Sequence, residues 1–554
     1  MLSTFFGLEI AKRGMNTQQN ALFVTGQNIS NANTPGYSRQ RVNFEATEAF
    51  PAAAMNRPQI PGQMGTGVQA GSVQRIREAF LDQQYRGENN KLGYWNSRAE
   101  SLSKMEDILN EPSDSGLSAV LGQFWQSLQD LSVHPENDGA RSVVLQRGQS
   151  VADTFHYLSD SLSSIQQDIG NQVGVTIKDI NSILDQISSI NKQISEIEPH
   201  GYLPNELYDE RDRLVDQLSS YMNIKVEKTS SGGNPSPLAE GIYNIKMVNS
   251  NNQEVYLVQG TNANKLGIVD GIDSDGDSIP DEPKSGQMIS AILVGGTKID
   301  FADSNGQVGF SQGKLKALIE SYGYQYSTTD SNGSPMVKTA GIYPDALDKL
   351  DKLAYTFGSI FNEVHKKGYG SDGSTGNNFF DLSALVQADG TVDYHGAAKL
   401  IALNSDLTKE MIAASDAVIT DKDGKVTGVE SGNGKNALNL SHIQDLDLSN
   451  FDPDNDSDIE KSNIFTSGTI MSNYQGIIGK LGVDAQQADR MTKNSGTLVN
   501  SVDQNRQSIT SVSLDEEMIN MIKFQQAYNA SARNITIVDE MLDKIINGLG
   551  TGGR

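Results

Sequence analysis

The chain contains one pattern that is typical of a catalytic nucleophile. Residues 309–313 carry the letters GFSQG and match the G-x-S-x-G elbow of serine hydrolases, with Ser311 as the nucleophile. A hydrolase also needs an Asp and a His positioned beside that serine, but the spacing of His365, His395 and His442 marks none of them as catalytic. Because the chain has 53 glycines, one such match is near the number that chance produces. The segment also fits the start of a helix, so a hydrolase stays a minor alternative.

An acidic segment, residues 273–282, has the spacing of a calcium loop. Its carboxylates stand at alternating positions and then four residues on: Asp273, Asp275, Asp277 and Asp281. Calcium takes about 6–8 oxygen ligands from a tightly curled chain, and the segment resembles the Asp-rich calcium repeats of extracellular proteins. It departs from the EF-hand pattern, because Ser278 stands where Gly is expected and Lys284 where a bidentate Glu is expected. A structural calcium ion and a solvated acidic loop are therefore both open, and residues 452–456 are a weaker copy.

Other cofactor chemistry has little support in the sequence. Residues 65–70 imitate a G-x-G-x-x-A dinucleotide loop, but no βαβ pattern surrounds them, and the glycines suit a place where chain segments cross. The histidines are scattered without metal-ligand spacing. Cysteine is absent, which excludes disulfides, iron–sulfur clusters and a thiol nucleophile. That absence fits an ordinary cytosolic protein or a chain that crosses into an oxidising compartment. Apart from the calcium loop, we expect no cofactor.

Length and charge place the chain among large soluble proteins. Its 554 residues suggest three or four domains, and its formal net charge of −25 argues against a nucleic-acid-binding body. No apolar run approaches the ~18 residues of a membrane helix. The N-terminus lacks the basic region of a signal peptide, and its apolar stretch meets Glu9 and Lys12 early. We therefore expect neither nucleic acid nor membrane insertion, and any export without an ordinary cleaved signal.

The first thirty residues have the pattern of a long helix with one narrow apolar stripe. Four apolar residues recur at every seventh position, as in a coiled-coil seam: Leu8, Met15, Leu22 and Ile29. The other faces are polar but almost uncharged, since the charged residues among the first 38 are Glu9, Lys12 and Arg13. A solvated helix face normally carries charge. This helix therefore either packs against other protein on several sides or is tucked into its own domain.

A turn and a strand follow this helix. The turn comprises Asn33, Thr34, Pro35, Gly36 and Tyr37. Pro35 disfavours helical geometry at the residue before it, and Gly36 supplies the backbone freedom of a turn. Residues 40–45 then alternate between the two faces of a half-buried strand.

The C-terminal segment also has the pattern of a seam-bearing helix. It begins after Ser513, which has capping-box spacing to Glu516. Large or apolar residues then recur on one face: Leu514, Met518, Met521, Tyr528, Ile535, Leu542 and Ile545. Chain ends are usually frayed, so regular helices at both ends need partners, either each other or copies of the chain. We predict that residues 1–64 and 510–554 form one terminal assembly domain with coiled-coil-like helices.

The middle of the chain predicts a helical bundle with two insertions. Apolar periodicity marks helices near residues 92–109, 117–131, 151–169, 173–197, 347–364 and 474–502. We assign them to a discontinuous bundle of residues 65–225, 311–370 and 465–509. Residues 226–310 alternate as strands in a β-rich insertion, and residues 371–464 form a variable, Gly- and Asp-rich insertion with little regular structure. The expected fold class is mainly α with β insertions, in an elongated multidomain protein.

Several segments, in their order along the chain, resemble the axial proteins of the bacterial flagellum. The first helix with its turn and strand is similar to the N-terminal signature of flagellar rod, hook and hook-associated proteins, and residues 513–547 resemble their terminal helix. Three further segments resemble the hook-associated protein 1 family of hook–filament junction proteins: residues 205–215, 350–369 and 514–517. The resemblance covers roughly residues 1–225, 310–380 and 465–549.

The resemblance implies a structural protein of the flagellum outside the cell rather than an enzyme. It implies a ring of copies between hook and filament, in contact with the hook protein and a second junction protein. It also implies export through the flagellar type III channel and a cytosolic chaperone on the C-terminal region. Another axial protein is the alternative, but the long bundle at residues 76–225 argues against the hook type, and the turn at residues 33–37 argues against the filament type.

Overall fold

The computed structural model describes residues 5–548 apart from short segments. The exceptions are residues 52–54, 56–61, 110–112, 114–115, 250–252, 271–287, 311, 330–332, 389, 421–425, 431, 452–458 and 460. Ser311, the calcium-loop candidate at residues 273–282 and its weaker copy at residues 452–456 therefore lie outside the described residues. Among the residues that are described, none of the helices combines the length and the apolar character that a bilayer crossing requires.

More than half of the described residues are helical, which confirms the predicted fold class, mainly α with β insertions. The α-helices are α1 (Phe6–Ser30), α2 (Ala79–Leu109), α3 (Leu117–Val133), α4 (Asp138–Ile197), α5 (Asn205–Tyr221), α6 (Lys314–Tyr322), α7 (Ile342–Lys366), α8 (Ala397–Leu400), α9 (Lys435–Ser441), α10 (Ile470–Thr510) and α11 (Leu514–Gly548). The strands are β1 (Gln40–Ala46), β2 (Val68–Arg75), β3 (Ile224–Thr229), β4 (Ile242–Val248), β5 (Glu254–Gln259), β6 (Asn262–Ala263), β7 (Leu266–Asp270), β8 (Ile289–Val294), β9 (Thr297–Asp300), β10 (Tyr324–Thr329), β11 (Pro335–Ala340), β12 (Phe380–Asp381), β13 (Ala402–Leu403), β14 (Val418–Thr420) and β15 (Val426–Val429).

The strands form small sheets between the helices. β1 pairs antiparallel with β2, and β3 to β6 form a four-stranded sheet in sequential order. A second sheet has the order β11-β10-β8-β7, with β9 also paired to β8. This sheet continues past the predicted β insertion, because β10 and β11 lie in residues that the sequence pattern assigned to the bundle. Nearly all of β11 is exposed, so its sequence shows no apolar alternation that could have indicated a strand.

The longest helix, α4, joins two of the helices that the sequence predicted separately. Its 60 residues span about 90 Å. The two apolar runs share one face because Ile169 and Val173 are one helical turn apart and both are buried. Helices α3, α5, α6 and α7 pack along α4, which therefore forms the spine of the bundle.

An aromatic cluster fills the core between α3, α4 and α7. Its members contact one another edge to face or tilted: Phe124, Trp125, Phe357, Phe361, Phe379 and Phe380. Gly148 of α4 leaves room for this cluster, since a Cβ there would lie 2.6 Å from the Phe379 ring. The described residues of the range 371–464 have only short elements, yet they contribute buried side chains to the same core. The second insertion is therefore packed onto the bundle despite its slight regular structure.

The two ends of the chain meet in what we call the terminal unit, formed by α1, β1, β2 and α11. Helix α1 packs along α11 and against both strands. The pairing of β1 with β2 crosses the boundary that the sequence pattern placed at residue 64. The four-part division of the chain into domains stays a prediction.

Candidate assembly interface

The core of the terminal unit is a helix pair in which small residues of α1 face α11. The small residues recur at every seventh position of α1: Gly7, Gly14, Ala21 and Asn28. A Cβ at Gly7 would lie 3.6 Å from Val538 Cγ2, and a Cβ at Gly14 would lie 3.1 Å from Ser531 Oγ. At the other end, Asn28 Nδ2 donates to Glu517 Oε2 at 3.1 Å. Because the partners advance by seven residues in opposite directions, α1 and α11 run antiparallel in a constant register.

The apolar seam predicted for α1 lies beside this line of small residues. Its four members each follow a small residue by one position and are half-buried: Leu8, Met15, Leu22 and Ile29. The most deeply buried residues of α1 are small or polar instead: Ala11, Thr17, Ala21, Thr25 and Asn28. Thr17 Oγ1 donates to the Val68 carbonyl of β2 at 3.1 Å. Helix α1 is thus held between α11 and the strand pair, which agrees with its shortage of charge.

The seam predicted for α11 divides into a covered part and an exposed part. Four of its members are half-buried at seven-residue spacing: Met521, Tyr528, Ile535 and Leu542. The remaining three members are exposed, together with five further apolar residues of the helix: Leu514, Met518 and Ile545, with Ile519, Ile522, Ile537, Met541 and Ile546. Ile522 and Met541 are 53% and 58% exposed. The helix pair of a single chain therefore leaves large apolar side chains uncovered along α11, in two groups at residues 514–522 and 537–546 that we call the exposed row. Such exposed side chains are typical of a surface that binds other protein.

The turn after α1 connects this helix pair to the bundle. Asn33, Thr34, Pro35 and Gly36 are exposed, and Tyr37 is half-buried. Gly36 has a φ of 84° and lies against Arg213 of α5, 3.5 Å from where its Cβ would be. The Tyr37 hydroxyl donates to Asn28 Oδ1 at 2.9 Å. Burial, together with the neighbouring carboxylates of α5 and α11, raises the pKa of Tyr37, so this hydroxyl stays a donor.

Three polar side chains hydrogen-bond one another at the end of the helix pair where α11 begins: Asn28, Arg39 and Glu517. We call them the polar layer. The side chain of Glu517 is only 3% exposed. Its two oxygens accept from Arg39 Nε at 2.8 Å and from Asn28 Nδ2 at 3.1 Å. Asn28 Oδ1 accepts from the Gln40 backbone N–H at 3.0 Å. The polar layer thus joins α1, the start of β1 and the first turn of α11.

Sequence reasoning missed most of this layer. It included Glu517 only in the segment 514–517 that carries part of the resemblance, and it singled out neither Asn28 nor the pairing of Arg39. One signal was available, because Asn28 continues the seven-residue repeat of Gly7 and Gly14. That repeat marks a face where another backbone comes close, and a polar residue at the end of such a face needs a partner.

An ionic network connects the terminal unit to the bundle. Arg75, the last residue of β2, lies 2.6 Å from Asp209 and 3.1 Å from Asp212 of α5. Asp209 also accepts from the Ser38 backbone N–H at 3.0 Å. The side chains of Arg75 and Asp212 are almost fully buried. Both acids belong to the segment 205–215, so the residues that carry part of the resemblance hold the two parts of the molecule together.

The same network extends into the bundle. Arg86 of α2 lies 3.2 Å from Asp212 and 2.7 Å from Asp216, and Arg506 of α10 also pairs with Asp216. Burial alone would raise the pKa of Asp212, but the arginines around it, first Arg77 and then Arg75, hold that pKa well below its usual range. The carboxylate therefore stays ionised. Through its ion pairs with Arg75 and Arg86 it connects α5 to the end of β2 and to α2.

Comparison with known families places these features in context. Residues 102–380 match the family described as "Flagellar hook-associated protein FlgK helical domain". Residues 8–37 match "Flagella basal body rod protein", and residues 503–548 match "Flagellar basal body rod FlgEFG protein C-terminal". The rod-type matches thus coincide with the two helices of the terminal unit.

Curated relatives extend over the whole chain. It is 42% identical to flagellar hook-associated protein 1 of Bacillus subtilis over 100% of both chains. The chain belongs to the flagellar hook-associated protein 1 (FlgK) family. It is also 25% identical to the Salmonella typhimurium member and 26% identical to the Escherichia coli member, in each case over 97% of this chain and 98% of the relative. These matches confirm the predicted resemblance and favour it over a hook-type or filament-type protein.

A solved structure of a FlgK shares the fold. The structure of the flagellar hook junction protein FlgK from Burkholderia pseudomallei matches with a TM-score of 0.56 and 14% sequence identity, over 77% of this chain and 100% of that chain. At that identity the likeness speaks for the fold alone. The membership of the FlgK family, a structural family of the flagellum, rests on the full-length relatives.

Of the catalytic and metal candidates, only the histidines lie among the described residues of this FlgK-family chain. His365 is buried, its Nδ1 donates to the Asn377 carbonyl at 2.8 Å, and its Nε2 accepts from the Ala413 N–H at 3.0 Å. Burial lowers the pKa of His365 to about 4. No group of three or more His, Asp or Glu side chains in the described part of the chain could hold a metal ion. Gly67, within the dinucleotide-like segment, packs on the α1 backbone, where an added Cβ would lie 3.6 Å from Ile10 Cα.

Proposed function

We propose that this chain is a structural subunit of the junction between the flagellar hook and filament, and that copies of it form a ring on which filament assembly begins. The observation that carries the proposal is the row of exposed apolar side chains on α11, in a helix pair formed by the two chain ends. Membership of the FlgK family supplies the setting in which such a surface is covered by other subunits.

The geometry supports association through this surface in energetic terms. Fully burying a large aliphatic side chain contributes about 1.5–3 kcal/mol. Ile522 and Met541 are about half exposed, so covering each contributes roughly 1 kcal/mol more. Several such residues on each copy, repeated around a ring, give a contact that strengthens with the number of neighbours. The polar, almost uncharged sides of α1 can enter the same packed wall without burying unpaired charge.

The proposal includes the partners and the route. We infer contacts with copies of the chain, with hook protein and with a second junction protein, and a cytosolic export chaperone that covers the C-terminal region before export. The exposed apolar residues of α11 support the last of these, since they would otherwise promote association inside the cell. We infer export through the flagellar type III channel and a final position outside the cell, with neither nucleic acid nor membrane insertion.

We also propose that the chain has no enzymatic role. The support is the near-chance frequency of the Ser311 motif, and the backbone hydrogen bonds that occupy both ring nitrogens of His365. Purified protein and its Ser311→Ala variant should both lack esterase turnover. Turnover that disappears in a folded Ser311→Ala variant would contradict this part of the proposal.

A strain without the gene tests the function. It should form hooks that lack filaments and should shed filament subunit into the medium, and the parent gene should restore filaments. The Ile522→Asp variant should be exported yet fail to restore filaments, because a carboxylate would be buried without a partner when neighbouring copies cover this position.

The matched control is Val175→Asp. Val175 lies on α4, outside the terminal unit, and is 56% exposed, close to the 53% of Ile522. This control should restore filaments as well as the parent does. Normal filaments in the deletion strain would contradict the proposed function, and normal filaments with Ile522→Asp would show that the exposed row of α11 is not the contact.

A further inference from the structure

The face of α1 that lies toward α11 carries small or polar side chains. Its positions toward α11 follow alternating steps of four and three residues: Gly7, Ala11, Gly14, Gln18, Ala21, Thr25 and Asn28. None of these is a large apolar side chain that would lock into a single gap of the facing helix, as knobs do in a coiled coil. Sliding α11 by one helical turn, about 5.4 Å, brings small residues opposite the same side chains again, except at Gln18. The steric fit of this face alone therefore does not fix the register.

The chain connections also leave room for such a slide. Helices α10 and α11 are joined by residues 511–513, and three extended residues span about 10 Å. That limit exceeds the rise of one helical turn, about 5.4 Å. The register must be set by contacts at particular positions.

The polar layer supplies those contacts. The Glu517 carboxylate is buried and has its two charge-stabilising donors, Arg39 Nε and Asn28 Nδ2, at the observed register. After a one-turn slide in either direction, Glu517 would leave both donors, and a buried carboxylate without partners is costly. Asn28 is meanwhile fixed to the Gln40 backbone, where its Oδ1 accepts and its Nδ2 donates at 2.8 Å. Asn28 therefore would not move with Glu517 if α11 slid along α1.

We propose that Asn28, Arg39 and Glu517 are positioning residues that set the register of α11 against α1. The layer acts as a single polar position does in a coiled coil, where it specifies alignment at some cost in stability. The assembly consequence rests on the proposed function: a slipped copy presents Ile522 and Met541 one turn out of place, so it is exported but joins the ring poorly.

Disulfide trapping tests the register directly, because the chain has no cysteine of its own. The Gly14→Cys and Ser531→Cys pair reports the observed register, since a Cβ at Gly14 would lie 3.9 Å from the Ser531 Cβ, a spacing that suits a disulfide. The pair of Gly14→Cys with Ile535→Cys reports a one-turn slide. The yield of each disulfide is measured by peptide mapping of the monomer band, in isolated flagella and in protein recovered from the medium.

With the polar layer intact, we expect the disulfide of the Gly14→Cys, Ser531→Cys pair and little of the disulfide of the Gly14→Cys, Ile535→Cys pair. The double variant Arg39→Met with Glu517→Leu replaces the charges by an apolar layer, so the helices should still pair while both disulfides form in comparable yield. The matched control is Glu516→Leu. Glu516 also pairs with Arg39, at 2.6 Å, but its side chain is 60% exposed, and this variant should keep the parent pattern.

The outcomes separate the inference from the proposed function. The parent disulfide pattern in the Arg39→Met, Glu517→Leu variant would overturn the register assignment, even if filaments are lost. A mixed pattern with normal filaments would overturn the assembly consequence. A single register in the parent, found together with normal filaments in the deletion strain, would leave the register assignment in place and remove the proposed function.

Discussion

Acid should destabilise the bundle through His365, and the structure sets the size of the effect. The pKa of a histidine in the unfolded chain is about 6.5, whereas burial lowers the pKa of His365 to about 4 in the folded chain. Between these values the unfolded state binds the proton and the folded state does not. The stability is therefore complete above about pH 6.5, falls as the pH drops toward 4, and changes no further through this group below that. The difference of 2.5 pKa units corresponds to roughly 3 kcal/mol.

Urea unfolding at a series of pH values from 7 to 4 measures this loss. Trp125 is a suitable fluorescent reporter because it packs on Phe361, which in turn stacks on His365. Carboxylates also titrate in this range, so the informative quantity is the difference between the parent and His365→Gln. The variant should be less stable at pH 7 but should lose roughly 3 kcal/mol less on acidification.

The control is His395→Gln, because the side chain of His395 is 62% exposed. It should follow the parent across the whole range. Equal losses in the parent and in His365→Gln would refute the reasoning, because they would mean that the buried ring does not stay neutral in the folded bundle.

Three further predictions concern packing, charge and calcium. Gly93→Ala should lower the free energy of unfolding by about 2 kcal/mol, because its Cβ would lie 2.1 Å from a backbone carbonyl of α5. Gly87→Ala in the same helix meets nothing within 4 Å, so it should raise the free energy of unfolding by about 0.5–1 kcal/mol. Thermal melts of the two variants test these opposite effects. Asp212→Asn should lower the free energy of unfolding by about 3–5 kcal/mol at neutral pH, because it leaves buried arginines uncompensated. Since the pKa of Asp212 is lowered in the folded state, the parent should lose this stabilisation as the pH falls below about 4, whereas the variant should not. A variant as sensitive to acid as the parent would contradict this. We propose that the acidic loop binds calcium, so titration calorimetry should show heat that Asp273→Ala with Asp275→Ala removes, and no heat at millimolar calcium would refute it.

The terminal helices show how far periodicity alone can go. The seven-residue repeat of Leu8, Met15 and Leu22 predicted a helix and a packed face, and α1 is a helix over that stretch. The closest approach to α11 lies one residue away, on the line of Gly7 and Gly14. A search for apolar residues cannot find a face whose packing depends on the absence of side chains. The glycines at seven-residue spacing were the signal that would have located it.

The ionic network shows a different limit. Arg75 and Asp212 are separated by 137 residues in the chain, and Arg506 reaches Asp216 across 290. The resemblance drew attention to the segment 205–215, but a sequence does not show which distant arginine a buried acid pairs with. Only the topology brings the end of β2, α2 and α10 around α5. The same reason hid the role of residues 371–464, because their aromatic side chains complete a core whose other walls lie on α3 and α7.

The distribution of charge follows from the same architecture. The first 38 residues contain one acid and two bases, Glu9, Lys12 and Arg13, so their formal charge is +1 while the whole chain carries −25. Excess negative charge keeps copies apart in solution. Screening limits that repulsion to roughly 8 Å at physiological ionic strength, so charges on the bundle and insertions oppose the contact of terminal helices only weakly. Under the proposed function, such a chain would resist association along most of its surface and would associate where α1 and α11 pair. It would then remain separate until it reaches the growing end of the structure.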